Sequence, residues 1–172
     1  MSGAAAKAGA RLPHHDSYSD QLIRAILKRV KTIAIVGASA NWNRPSYFAM
    51  KYMQEKGYRV IPVNPKIAGS PILAETAHAS LADIRDSIDM VQVFRRSDAV
   101  MPVTEEAIAV GAKVLWMQLG VRNDEAAARA EQASLRVVMN RCPKIEYGRL
   151  SGEIGWLGVN TRVVSSRRSR RI

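Results

Sequence analysis

The sequence predicts an α/β fold of three layers, with helices on both faces of a mostly parallel sheet of five or six strands. Three observations carry that reading. Short apolar runs alternate with helix-length segments, the pattern of parallel strands joined by crossover helices. The runs are apolar at successive positions, as in Ile33-Ala34-Ile35-Val36, which calls for cover on both faces of a strand. Each run ends at a turn signal: Gly37, Asn64-Pro65, Arg95-Arg96-Ser97 or Gly120. Right-handed crossovers then bring the strand C-termini to one edge of the sheet.

Residues 1–16 lack periodicity, contain Gly, Ala and Pro13, and read as a flexible tail. Their alanines with Lys7 and Arg11 faintly suggest a transit peptide. His14, His15 and Asp16 are metal-ligating types, yet three neighbours on a mobile tail make a poor site. The domain proper is expected over residues 17–150. A first helix starts near Ser17, with Tyr18, Leu22, Ile26 and Val30 forming a stripe that Ile23 and Leu27 widen. Lys28, Arg29 and Lys31 sit at its C-terminal end, where cations complement the helix dipole.

The first strand is expected over residues 32–36. A helix over residues 45–56 opens with Pro45 at its first position and stops at Gly57. The second strand covers residues 59–63, and Pro62 within it argues for a strand end or sheet edge. Residues 65–80 form an irregular connection, with a short edge strand near Ile72 and Leu73. Ser80 and Asp83 resemble a capping box opening a short helix. A strand over residues 89–94 follows. Next comes a helix capped by Ser97, carrying Pro102 in its early turns and ending at Gly111. A strand over 113–118, a helix from Asn123 to about Ser134 and a last strand over 136–139 complete the series. Residues 151–172 hold Ile154, Trp156, Leu157, Val159, Val163 and Val164, then the basic run at 167–171. The apolar part is expected to dock on the domain or on a second subunit, which makes a homodimer a fair expectation.

The chain of 172 residues is long enough for one domain with a proper core. The net charge of +11 is spread as +3 over residues 1–30, +4 over 31–150 and +4 over 151–172. Such a balance attracts polyanions: phosphorylated cofactors, nucleic acid or anionic lipid. The short basic run at the end supports only weak, salt-sensitive attraction to nucleic acid, so that partner is not expected. Cys142 is the one cysteine, so no intrachain disulfide forms and a reducing, cytoplasmic setting fits. No apolar run approaches the roughly 20 residues of a membrane span.

Chemistry concentrates at the strand ends. Gly37, Ala38 and Ser39 follow the first strand, and Asn43-Arg44-Pro45-Ser46 opens the next helix. Gly37 allows a tight turn and close approach of backbone to ligand. The helix N-terminus presents N–H groups, Ser39 and Ser46 offer hydroxyls, and Arg44 can fork onto a phosphate. Together these read as a diphosphate cradle. The turn lacks the Gly-x-Gly-x-x-Gly pattern of dinucleotide sites. The second strand ends in Val63-Asn64-Pro65-Lys66, with a cation where an acid for a free ribose diol is expected. That favours a ribose bearing a phosphate: coenzyme A, or NADP, against which the missing glycines count. An NAD(P)-linked oxidoreductase or redox sensor is the alternative. Phe94 can stack an adenine and Arg95 can supply charge, whereas Trp116 and Met117 read as core.

The sequence resembles the stand-alone CoA-binding domain proteins, related to the CoA-binding N-terminal domain of the succinyl-CoA synthetase alpha subunit. The resemblance rests on V-G-A-S at 36–39, R-P-S at 44–46, G-Y-R-V-I-P-V-N-P at 57–65, D-M-V-Q-V-F-R at 89–95, V-L-W-M-Q-L-G-V at 114–121 and R-C-P at 141–143. It implies a Rossmann-like fold holding coenzyme A or an acyl-CoA at the strand C-termini. It also implies that Ser39, Arg44 and Ser46 face the pyrophosphate, and that Asn64, Pro65 and Lys66 face the 3′-phosphoadenosine. Phe94, Arg95, Gln118, Leu119 and Gly120 would line the adenine and pantetheine. The synthetase's phosphorylated histidine belongs to a second domain. Only His14, His15 and His78 are present here, so binding without catalysis is the expectation. Cys142 reads as a small buried side chain, with thiol exchange against the CoA thiol as the sharper alternative.

Overall fold

The computed structural model describes residues 11–152. Five strands form one wholly parallel sheet in the order β2-β1-β5-β6-β7. They are β1 (Thr32–Val36), β2 (Arg59–Val63), β5 (Met90–Val93), β6 (Val114–Met117) and β7 (Arg136–Val138). The fold is Rossmann-like, as expected. Pro62 lies in β2, an outer strand, where a missing N–H costs least. Chain order reverses at β1, which has β2 on one side and β5 on the other. The crevice between the C-terminal ends of β1 and β5 is therefore the place where such sheets receive ligands.

Strand parity sends neighbouring residues to opposite faces. Ala34, Val36, Ile61, Val63, Val91, Val93, Leu115 and Met117 pack under α3 (Val100–Ala109) and α4 (Asp124–Gln132). Ile33, Ile35, Val60, Met90, Val114, Trp116 and Val138 pack under α1 (Asp20–Arg29) and α2 (Pro45–Glu55), with Leu150 of α5 (Pro143–Leu150). Trp116 and Met117 are core residues, fully buried. Asp89 fixes the start of β1: its carboxylate accepts from the Lys31 and Thr32 N–H groups at 2.8 and 3.0 Å.

Several local expectations shift. The first helix is capped by Ser19, whose hydroxyl accepts from the Leu22 N–H, rather than starting near Ser17. Ser97 is not a helix cap. It lies in a 3-10 turn, Ser97–Ala99, ahead of α3, and its hydroxyl accepts from the Arg122 N–H at 3.1 Å. The irregular connection contains a two-stranded antiparallel ribbon, β3 (Pro71–Ile72) with β4 (Glu75–Thr76), turning through Leu73 at φ 53°. The Ser80–Asp83 box closes only a single 3-10 turn, Leu81–Asp83. Helix α5 has no counterpart in the sequence reading. Buried Glu146 and Gly148 interrupt its apolar pattern, and Glu146 is held by Arg149 at 2.7 Å.

Residues 11–16, read as the end of a tail, are docked. Pro13–His15 forms a 3-10 turn, His15 is buried, and the Leu12 N–H donates to the Asp124 carboxylate at 2.7 Å. The apolar arm, the basic run and the dimer expectation resting on them lie outside the described residues.

Candidate functional site

The strand ends converge through their backbones. The Gly37 and Ala38 N–H groups both donate to the Val63 carbonyl, at 2.9 and 3.4 Å. Phe94 N–H donates to Val36 O at 2.8 Å, and Gln118 N–H to Val93 O at 3.2 Å. These bonds extend the ladder one residue past β1, β5 and β6. They bring Gly37, Ala38, Val63, Asn64, Phe94, Arg95 and Gln118 to one rim.

Gly37 is required there twice over. Its φ is +90°, and a Cβ would lie 2.2 Å from the Phe94 carbonyl oxygen and 3.4 Å from the Arg95 side chain. Only a hydrogen fits between β1 and β5 at the reversal. Asn64 bolts the second strand end to the first turn: its amide donates to Ala38 O at 2.9 Å, and its side-chain oxygen accepts from the Lys66 N–H at 3.1 Å. Pro65 and Lys66 are thereby displayed on an exposed 3-10 turn.

Loop 39–44 builds the entry to α2. Ser39 Oγ accepts from the Asn41 N–H at 3.1 Å, and Arg44 occupies the N-cap position with Pro45 following. Arg44 makes no side-chain cap; its carbonyl accepts the Tyr47 and Phe48 N–H groups at 3.0 and 3.3 Å, and Pro45 has no N–H. Arg44 and Lys66 are exposed and Arg95 half-buried, and none joins a described ion pair. By contrast, Arg59, Arg122, Arg129 and Arg149 all hold carboxylates.

Some expected residues have side chains turned elsewhere. Val63 and Ala38 are 2% exposed, and Ser46 5%, so Val63 and Ala38 contribute through their backbone, and Ser46 has little surface to offer. Phe94 is half-buried, packed against the core under α1 and α2. Arg96 is drawn away to Asp98 at 2.8 Å. Leu119 is exposed, and the turn at Gly120 (φ +83°) is held by Asn140, whose side-chain oxygen accepts the Gly120 N–H at 2.7 Å. Cys142 is buried.

The sequence reading gave no role to Gln92. It is wholly buried in β5, its amide donates to Gln118 Oε1 at 3.0 Å, and its own side-chain oxygen lacks a partner. A glutamine inside Met90–Val93, where every other side chain is apolar, was the available signal. Trp42 and Phe48 were passed over too; both are large and exposed, at 69% and 45%, in the loop and helix that follow β1. A cavity of about 450 Å³ lies at the other edge of the sheet, among Arg24, Lys28, Lys31, Lys56 and Tyr58. It precedes β1 and β2 and shares no residue with the rim.

A family model described as a CoA binding domain matches residues 31–148. The uncharacterized protein YneT of Bacillus subtilis is 41% identical over 125 residues, which are 73% of this chain and 91% of that protein. A hypothetical protein of Pyrococcus horikoshii OT3, of known structure, is 42% identical with a TM-score of 0.76, over 83% of this chain and 98% of that one. An ADP-forming acetate–CoA ligase of Methanocaldococcus jannaschii is 30% identical over 83 residues, 48% of this chain but 12% of the ligase.

Proposed function

The chain belongs to the CoA-binding domain family, and from that premise we propose that it binds coenzyme A or an acyl-CoA across the β1/β5 crevice, without catalysis of its own. The observation that carries the proposal is the rim itself. Chain order reverses where Gly37 leaves room for only a hydrogen, with the Arg95 side chain beside it, and among the described residues Arg44, Lys66 and Arg95, which follow the strand ends, join no ion pair.

In this reading the pyrophosphate lies over the Gly37 turn, near Ser39 Oγ and the N-terminal end of α2, with Arg44 forked onto it. Lys66, presented by the Asn64–Pro65 turn, meets the ribose 3′-phosphate. Phe94 and Arg95 border the adenine, and the exposed Trp42 offers a second stacking face. The pantetheine arm runs toward Gln118, Leu119 and Gly120. The stretch shared with the acetate–CoA ligase supports coenzyme binding rather than ligation, since it spans only 12% of that protein.

Calorimetric titration with coenzyme A and acetyl-CoA tests the proposal. Arg44→Ala is expected to remove about 1.5–3 kcal/mol, a loss of roughly 10- to 150-fold in affinity. Lys66→Ala should weaken coenzyme A while leaving 3′-dephospho-CoA unchanged. Undiminished binding in both variants would place the coenzyme elsewhere.

A further inference from the structure

His14, His15 and Glu131 form a cluster that the coenzyme rim does not use. The objection to a metal here was mobility, and docking removes it. The Pro13–His15 turn lies along α4, with the Leu12 N–H on Asp124. Arg122 donates to the Asp16 carboxylate at 2.8 Å and to Leu12 O at 3.1 Å. The segment therefore delivers both imidazoles to Glu131, near the C-terminal end of the same helix.

The geometry is that of a ligand set. One donor atom from each of the three residues lies within 4.8 Å of the others. His14 Nε2 is 3.1 Å from Glu131 Oε1, and His15 Nε2 is also 3.1 Å from that oxygen. Ligands held at about 2.0–2.1 Å in a tetrahedral zinc shell are about 3.3 Å apart, so two of the three separations already fit. The His14 side chain is 57% exposed and can swing to close the third.

The second observation is His15 itself. Its side chain is 3% exposed, yet Nε2 makes no aligned hydrogen bond despite its closeness to the carboxylate. A buried imidazole nitrogen without a hydrogen-bond partner, facing a carboxylate and a second imidazole, is placed to ligate. Its other nitrogen, Nδ1, is 2.9 Å from the Tyr18 hydroxyl, which also accepts the Met139 N–H at 2.8 Å. In the tautomer whose Nδ1–H donates to that hydroxyl, the ring is oriented and Nε2 carries the lone pair that coordinates. The nearby Arg122 charge is offset by its pairs with Asp16 and Asp124.

We infer that His14 Nε2, His15 Nε2 and the Glu131 carboxylate bind a zinc-class divalent cation, with water completing the shell on the exposed side. Two imidazoles and a carboxylate suit zinc or cobalt over magnesium or calcium. The ion would clasp the N-terminal segment to α4 and would use no residue of the coenzyme rim.

The test uses the full chain stripped with chelator. Titration with Co²⁺ is expected to give one equivalent per chain and the visible bands of four- or five-coordinate cobalt, displaced by Zn²⁺. His14→Ala and Glu131→Gln, both at exposed positions, should each lower affinity at least about tenfold with the metal-free unfolding midpoint nearly unchanged. Zn²⁺ should raise that midpoint in the wild type and not in the variants. His78→Ala should bind as the wild type does. A cobalt spectrum no different from the aqueous ion, or binding that survives both substitutions, would overturn the site.

Discussion

Gly37 shows how much one position decides. An added methyl would meet a backbone oxygen at 2.2 Å in a conformation that side chains rarely adopt. Gly37→Ala should therefore cost about 3 kcal/mol or more, read as a lowered denaturant midpoint, because β1 and β5 must part to admit it. The Gln92–Gln118 pair has the opposite character. Gln118→Leu leaves the buried Gln92 amide without an acceptor and should cost about 1–3 kcal/mol, whereas replacing both by Leu should cost less than the single change. Unfolding of the two variants side by side distinguishes them. The places of Gly37 and Asn64 at strand ends and of Arg44 at the entry to α2 were legible in the sequence, because glycine, Asn-Pro and a residue before proline mark such turns. The direction of Val63, Ala38 and Ser46 was not legible, since a side chain's facing follows from register and helix phase.

Among the elements, those with both a period and a stop signal were readable. Helix α2 runs from Pro45 as expected, and α4 is capped by Asn123, whose side-chain oxygen accepts from the Ala126 N–H at 2.9 Å. Asn123→Ala should cost about 1 kcal/mol. Its amide also donates to Ser97 O at 2.8 Å, so the loss should reach the turn before α3 as faster amide exchange there. Ser97 misled because a serine before a helix-length segment is an ordinary capping signal; the tertiary structure uses its hydroxyl to receive the Arg122 N–H instead. Helix α5 was silent because eight residues with an inward glutamate carry too little apolar pattern.

At the scale of the molecule, the docking of residues 11–16 is the largest departure. Arg122 grips Asp124 through Nε and Nη2 at 2.9 and 2.7 Å while holding Asp16. The Arg122 guanidinium beside it, helped by the Leu12 N–H, holds the Asp124 carboxyl below the usual carboxylate range. A carboxyl depressed in the folded state stabilises fully above its unfolded pKa, and that stability is lost as pH falls through the folded value. Stability should thus decline below about pH 4, and Asp124→Asn should flatten that part of the curve, as followed by urea unfolding across the acid range. The sequence by itself determined the parallel sheet, helices α1 to α4 and the turns at the strand ends, because apolar runs, glycines and prolines act over a few residues. Only the tertiary structure decided that β1 and β5 meet at Gly37, that Gln92 lies buried against Gln118, and that a segment resembling a tail carries two histidines to Glu131. Those pairings join residues as many as 117 positions apart, and their stability comes from burial and charge matching that no local pattern records.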